Sequence, residues 1–221
     1  LFGGFYAIVM AMNGRFEHAA VAIFIAMILD GLDGRVARLT RTQSAFGAEY
    51  DSLSDMVSFG VAPALVMFEW AMKGMGKWGW IAAFIYCVGA ALRLARFNTN
   101  IEVVDKRFFQ GLPSPAAAAL IAGFVWVLMD LNYTGEEVRW YAWALTIFAG
   151  VTMVSNFRYY SGKDINLRRS VPFIAVLAIV LLFVLVSSYP PGILFALFLC
   201  YAFSGYILAV LDWVRRRKTL V

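Results

Sequence analysis

The sequence predicts an all-α fold, a polytopic bundle of about eight transmembrane helices forming one domain over residues 1–221. Three observations lead there. The first is composition: 62% of residues are hydrophobic, 15% are charged, and mean hydropathy is +0.74. A soluble domain holds about 45–50% apolar and about 25% charged residues, so the excess is too large for one water-facing core. The second is pattern. Long continuous apolar runs cover approximately 1–12, 17–37, 44–72, 78–97, 114–131, 138–155, 171–188 and 191–213, with polar or Gly/Pro-bearing turns between them. A helix crosses the hydrocarbon with about 20 mainly apolar residues. A β-barrel would instead show segments of about ten residues alternating in polarity. The third is an uneven distribution of cations along the chain.

Taken in order, the run before Asn13 is too short to cross alone. It opens at Leu1 with no basic segment ahead of it, which argues against a secretory signal peptide and reads as a first span entered partway. The second and third runs meet at a short turn, Thr40–Ser44, which lets their helices run antiparallel. Gly60 and Pro63 in the third run predict a bend, which membrane helices tolerate where neighbours satisfy the freed backbone. The fourth run closes on Arg93, Arg96 and Asn98. Pro113 and Pro115 suit the first turn of the fifth helix. Trp78, Trp80, Trp140, Tyr141 and Trp213 sit near run ends, as interfacial anchors do. Cys87 and Cys200 lie inside apolar runs and read as small packing residues, with neither a disulfide framework nor zinc spacing. His18 is the sole histidine, which excludes histidine-based metal or triad chemistry.

If the loop after the second run is cytoplasmic, fifteen of the nineteen Lys and Arg residues fall on that side. Only Arg15, Lys73, Lys77 and Arg139 fall on the other. This positive-inside bias places both termini in the cytoplasm of an eight-span protein in the cell (inner) membrane. The cations flank spans instead of forming a soluble basic face, so nucleic acid is not an expected partner. Arg158, Lys163, Arg168 and Arg169 in a later cytoplasmic loop suit anionic lipid.

Four acids break the apolar pattern: Asp30, Asp33, Asp51 and Asp55. One Asp at mid-helix costs about 3 kcal/mol on insertion scales, so four within 26 residues require a compensating interaction. Asp30 and Asp33 are three apart and Asp51 and Asp55 four apart, so each pair shares a helical face. Antiparallel neighbours bring the two faces together near the cytoplasmic boundary. Helix capping or pairing with Arg35, Arg38 and Arg41 explains one or two acids, not two such pairs on adjacent helices. A transporter's proton or ion relay is a second reading. Converging carboxylates suit oxygen-ligated divalent cations such as Mg²⁺, and two such ions suit in-line displacement at phosphorus.

The stretch Asp30-Gly-Leu-Asp33-Gly34-Arg-Val-Ala37-Arg38, eight residues, Gly47, three residues, Asp51, three residues, Asp55 resembles the signature of the CDP-alcohol phosphotransferase family. All eight constrained identities in 26 positions are matched. The resemblance implies that Asp30, Asp33 and Asp51 hold one Mg²⁺ or Mn²⁺ ion. Asp30, Asp51 and Asp55 would hold a second, with Asp55 also the general base. It implies further that Gly34, Ala37, Arg38 and Gly47, with Asp33, line the nucleotide and pyrophosphate site. Small residues there admit a flat base or a phosphate, and they equally suit close helix packing.

Three further pieces resemble the serine-using branch of that family: Asp51-Ser-Leu-Ser-Asp55 with Phe59-Gly60-Val-Ala-Pro63-Ala64, then Arg93-Leu-Ala-Arg96-Phe97-Asn98, then Phe109-Gln110-Gly111-Leu112-Pro113-Ser114-Pro115. They imply CDP-diacylglycerol as donor and L-serine as acceptor, with a homodimer in the lipid bilayer. Arg93 and Arg96 would bind the serine carboxylate, helped by Asn98 and Gln110. An inositol-phosphate or glycerol-phosphate acceptor, drawing on Arg158, Lys163, Arg168 and Arg169, and an ether-lipid donor stay open at this point. The family's usual lead-in before the first span, which contributes to nucleotide binding, is not part of this sequence.

Overall fold

A computed structural model describes residues 1–40, 44–99, 108–161 and 173–218. Each of the eight apolar runs becomes helix. They are α1 (Phe2–Met12), α2 (Phe16–Thr40), a continuous helical stretch Ala45–Met75, α5 (Lys77–Thr99), α6 (Ser114–Asp130), α7 (Arg139–Val154), α8 (Phe173–Ser188) and α9 (Pro190–Lys218). Within the third stretch, α3 (Ala45–Asp55) and α4 (Ala62–Met67) are joined by a π-helical turn at Met56–Val61. A second π-helical segment, Phe68–Met72, and a 3-10 turn complete it. Among the described residues three helices are long and apolar enough to cross a membrane by length and composition: Ala45–Met75, Lys77–Thr99 and Pro190–Leu211. The apolar helices Phe2–Met12, Ser114–Asp130 and Ile179–Ser188 are shorter.

The predicted bend at Gly60 and Pro63 takes the form of the π-helical turn. Proline has no N–H to return to the carbonyl four residues back, so the carbonyl of Phe59 loses its α-helical donor. The buried hydroxyl of Tyr86 on α5 donates to that carbonyl at 3.0 Å. A neighbouring helix thus satisfies the group the proline leaves bare, as apolar surroundings require.

The middle of the bundle is α6. Ala116–Ala119, Leu120, Ile121, Ala122 and Val125 are all buried, and the helix packs on α2, α4, α7 and α9. Its small side chains bring neighbours close, the usual basis of helix contact in lipid. A Cβ on Gly123 would stand 3.1 Å from the Cα of Phe195. The same device joins α5 to α7, where a Cβ on Gly89 would lie 2.5 Å from the carbonyl oxygen of Gly150. Aromatic rings fill the rest: Trp70 meets Phe124 edge-on, and Phe124 packs against Phe195. By contrast α8 is exposed from Val176 to Leu185 wherever its side chains are described. A helix apolar all round suits lipid or a protein partner, not water.

One feature has no counterpart in the predicted pattern. Strands β1 (Phe108–Gln110) and β2 (Arg158–Tyr160) pair antiparallel, with Phe109 opposite Tyr159. Three residues are too few to show the period-two signal of a strand. The pair ties the entry of α6 to the exit of α7. Gly111, at φ +77°, turns the chain into that join. Its N–H donates to the Phe157 carbonyl, and a Cβ there would lie 2.2 Å from the carbonyl oxygen of Met153.

Replacing Tyr86 by Phe removes the donor to Phe59 while keeping the ring. An unsatisfied buried carbonyl costs about 1–3 kcal/mol. Thermal unfolding in detergent is expected to show a lower midpoint for Tyr86→Phe and an unchanged one for the exposed Trp80→Phe.

Candidate active site

Two segments build the site. The C-terminal half of α2 carries Asp30 and Asp33, and α3 carries Asp51 and Asp55. The turn between them includes Arg41, which lies outside the described residues. Ser44 opens α3 as its N-cap, its hydroxyl accepting from the N–H of Gly47 at 3.0 Å. This is the capping role expected of serine before a helix, and it orients the first turn of α3 below the acids.

The structure brings three of the four acids together. One oxygen from each of Asp30, Asp51 and Asp55 lies within 4.8 Å of the others. The side chains of Asp30 and Asp55 are within hydrogen-bonding reach. Asp33 is exposed and stands outside that group, although close enough to act electrostatically on Asp30 and Asp51. Among the described residues no Lys or Arg forms an ion pair with any of the four; the one pair found is Lys73–Glu69. Among the described residues, Arg35 included, no Arg pair accounts for the cluster; Arg41 and the side chain of Arg38 lie outside them.

The donor set fits a divalent cation. Ligand oxygens at about 2.1 Å around an octahedral Mg²⁺ stand about 3 Å apart when adjacent and about 4.2 Å when opposite. Oxygens within 4.8 Å of one another need only small side-chain rotations to reach that arrangement. Like charges held this close repel strongly where the local dielectric is low, and a cation relieves the repulsion.

The site has an open mouth. From Met27 to Thr40 and from Ser44 to Val57, no described side chain is fully buried. A Cβ built on Gly34 would meet nothing within 4 Å, and one on Gly47 only the hydroxyl of Ser44. Ala37 and Arg38 continue α2 one turn beyond Gly34; their side chains lie outside the described set.

The residues expected to bind the acceptor are spread around one side of the cluster. Arg93 is buried on α5 at 8% exposure, near Asp55. Its Nη1 donates to the hydroxyl of Ser114 at 2.8 Å, and its Nε has no partner. Arg96 points elsewhere. It donates to the carbonyls of Val154 and Ser155 at the end of α7 and to Asn156. That arrangement favours a cation at a helix C-terminus. Gln110 donates to the same Asn156 at 2.9 Å, and Asn98 donates to Ser52 at 3.0 Å, linking α5 to α3. Two arginines sharing a face by spacing thus diverge in fact. Asn156 and Tyr201 enter the site's surroundings with no mark in the sequence beyond their polarity, whereas Ser52 and Ser114 lie inside the pieces that resemble the serine-using branch.

The family model for CDP-alcohol phosphatidyltransferases matches residues 1–152. The chain belongs to the CDP-alcohol phosphatidyltransferase family. The matched region contains all four acids and the helices that carry them. Similar curated proteins include a CDP-diacylglycerol–serine O-phosphatidyltransferase of Helicobacter pylori (strain ATCC 700392 / 26695), 37% identical over 187 residues, 83% of this chain and 78% of that protein. A protein of the same name from Methanocaldococcus jannaschii is 37% identical over 195 residues, covering 87% and 83%. One from Saccharomyces cerevisiae is 39% identical over 139 residues, covering 57% of this chain and 50% of its own.

A cation bound only by the folded protein stabilises it by RT ln(1 + [L]/Kd), about 2.7 kcal/mol at a hundredfold excess over Kd. Mg²⁺ or Mn²⁺ is therefore expected to raise the unfolding temperature of the purified protein. The rise should vanish in Asp30→Asn and Asp51→Asn. An equal rise in those variants would place the cation elsewhere.

Proposed function

We propose that this chain transfers the phosphatidyl group of CDP-diacylglycerol to the hydroxyl of L-serine, giving phosphatidylserine and CMP. One observation carries the reading. Three carboxylates from the family signature converge with no ion-pairing Lys or Arg among the described residues, in a chain sharing 37% identity with serine O-phosphatidyltransferases over more than four-fifths of its length.

Two divalent cations, Mg²⁺ or Mn²⁺, held among Asp30, Asp33, Asp51 and Asp55 would neutralise the diphosphate and make CMP a competent leaving group. The serine hydroxyl oxygen attacks the β-phosphorus, which carries the lipid. The new O–P bond forms as the bond from that phosphorus to the CMP oxygen breaks. Asp55 takes the hydroxyl proton as it leaves. Its position at the inner end of the cluster beside Arg93 supports that role. Asp33, exposed at the rim, is free to turn inward onto an arriving diphosphate. Gly34 and Gly47 leave room for the nucleotide, which Ala37 and Arg38 would also contact.

On the acceptor side the contacts support Arg93 more than its neighbours. Arg96, Gln110 and Asn98 already bond to protein groups and hold the walls. The surrounding architecture is read as eight crossings with both ends and the acid cluster on the cytoplasmic side of the cell membrane, and as a homodimer. The cation asymmetry supports the orientation.

Purified protein in mixed micelles, given CDP-diacylglycerol, Mg²⁺ or Mn²⁺ and labelled serine, is expected to release CMP and form labelled phosphatidylserine. Losing a positioned base costs about 10²–10⁴-fold, so Asp55→Asn should lower turnover by at least that range. CMP release with glycerol phosphate or inositol phosphate but not with serine moves the protein to a sister reaction. No release with any acceptor, from folded protein, contradicts the enzymatic reading.

A further inference from the structure

Arg93 is unusual among the described cations. It lies deep on α5 at 8% exposure, while its neighbour Arg96 is spent on a helix end. A buried guanidinium left without partners is costly. Yet Arg93 has one described hydrogen bond, from Nη1 to the Ser114 hydroxyl, and its buried Nε has none. The carboxylate near it is Asp55, which already faces Asp30 and forms no ion pair with Arg93. The other side chains acting on it are Tyr201, Arg96 and Tyr86, and none of these brings a carboxylate.

Ser114 is equally specific in its use. It is wholly buried at the start of α6, between Pro113 and Pro115. It makes no capping bond; Pro113 occupies the N-cap position and no side chain caps the helix. Its hydroxyl is committed to Arg93. The entry of α6 that carries it is itself fixed: Gly111 and Leu112 donate to the carbonyls of Phe157 and Thr152. Ser114 is therefore a rigid support for one corner of the guanidinium.

That corner decides what remains. A guanidinium presents a carboxylate with two parallel donors along an edge. By holding Nη1, Ser114 leaves the edge formed by Nε and Nη2 for a ligand. We propose that Ser114 is a positioning residue for the acceptor: it fixes Arg93 so that the Nε edge binds the carboxylate of the incoming amino acid beside Asp55. This rests on serine being the acceptor, as proposed above. It also adds selectivity, because an amino alcohol lacking the carboxylate would leave the buried Nε without a partner.

The test is a kinetic split in the full-length protein in mixed micelles. Ser114→Ala is expected to raise KM for serine at least tenfold and leave KM for CDP-diacylglycerol within twofold. Ser114→Thr, which keeps the hydroxyl, should restore the serine KM to within about threefold. The preference for serine over ethanolamine, which has the hydroxyl and amine but no carboxylate, should fall at least tenfold in Ser114→Ala. Equal rises in both KM values, or an unchanged preference over ethanolamine, would show that Ser114 only packs and overturn the proposal. If Ser114→Ala fails to fold, Ser114→Cys replaces it and is read against the same thresholds. Wild-type protein that does not use serine at all overturns the parent reading, and the role of Ser114 falls with it.

Discussion

The structure turns on the mutual repulsion of carboxylates held together between two neighbouring helices. Asp30, Asp51 and Asp55 present oxygens within 4.8 Å of one another, and no described Lys or Arg pairs with them. Holding like charges this close is unfavourable unless something of opposite charge binds. Other features follow from providing for that guest. The ends of α2 and α3 around the acids carry no fully buried side chain, and glycines 34 and 47 keep the space between them clear. The apolar packing withheld from this end is supplied elsewhere, around α6.

An open, charged mouth must be framed by something stiff, because a displacement of about 1 Å in a reacting group can cost a hundredfold in rate. Close backbone contacts give that stiffness: Gly89 on Gly150, Gly123 on Phe195, and Gly4 of α1 against Ser58 of the π-helical turn. The Tyr86 hydroxyl stabilises that turn, which begins one residue after Asp55. On the far side, Arg96, Gln110 and Asn156 bind the end of α7 to the loop that leads into α6. The acid cluster and the buried Arg93 thus sit on helices whose neighbours fix them.

Much of this was readable from residues alone, for identifiable reasons. Helix positions followed from uninterrupted apolar runs, a signal that needs no tertiary information. The acid cluster followed from intervals of three and four on adjacent helices, because that spacing places side chains on one face whatever packs around them. The spacing could not show that Asp33 would stand apart from the other three, which depends on how far α2 is rotated against α3. Nor could it separate Arg93 from Arg96. Three residues apart on one helix, they share a face, but one meets the start of α6 and the other the end of α7. The β1–β2 pair and the Ser114 contact arise from chain segments distant in sequence, and no local pattern encodes them. Lys163, Arg168 and Arg169, considered for a phosphate-bearing acceptor, lie outside the described residues.

The most direct measurement is anomalous diffraction from crystals of the protein grown with Mn²⁺ and a CDP-lipid. The account predicts anomalous density among Asp30, Asp51 and Asp55. It further predicts a second peak about 3.5–4 Å away, the spacing of paired catalytic metals, with Asp33 turned in to meet it. Density at neither position, with the diphosphate bound away from these side chains, would contradict it.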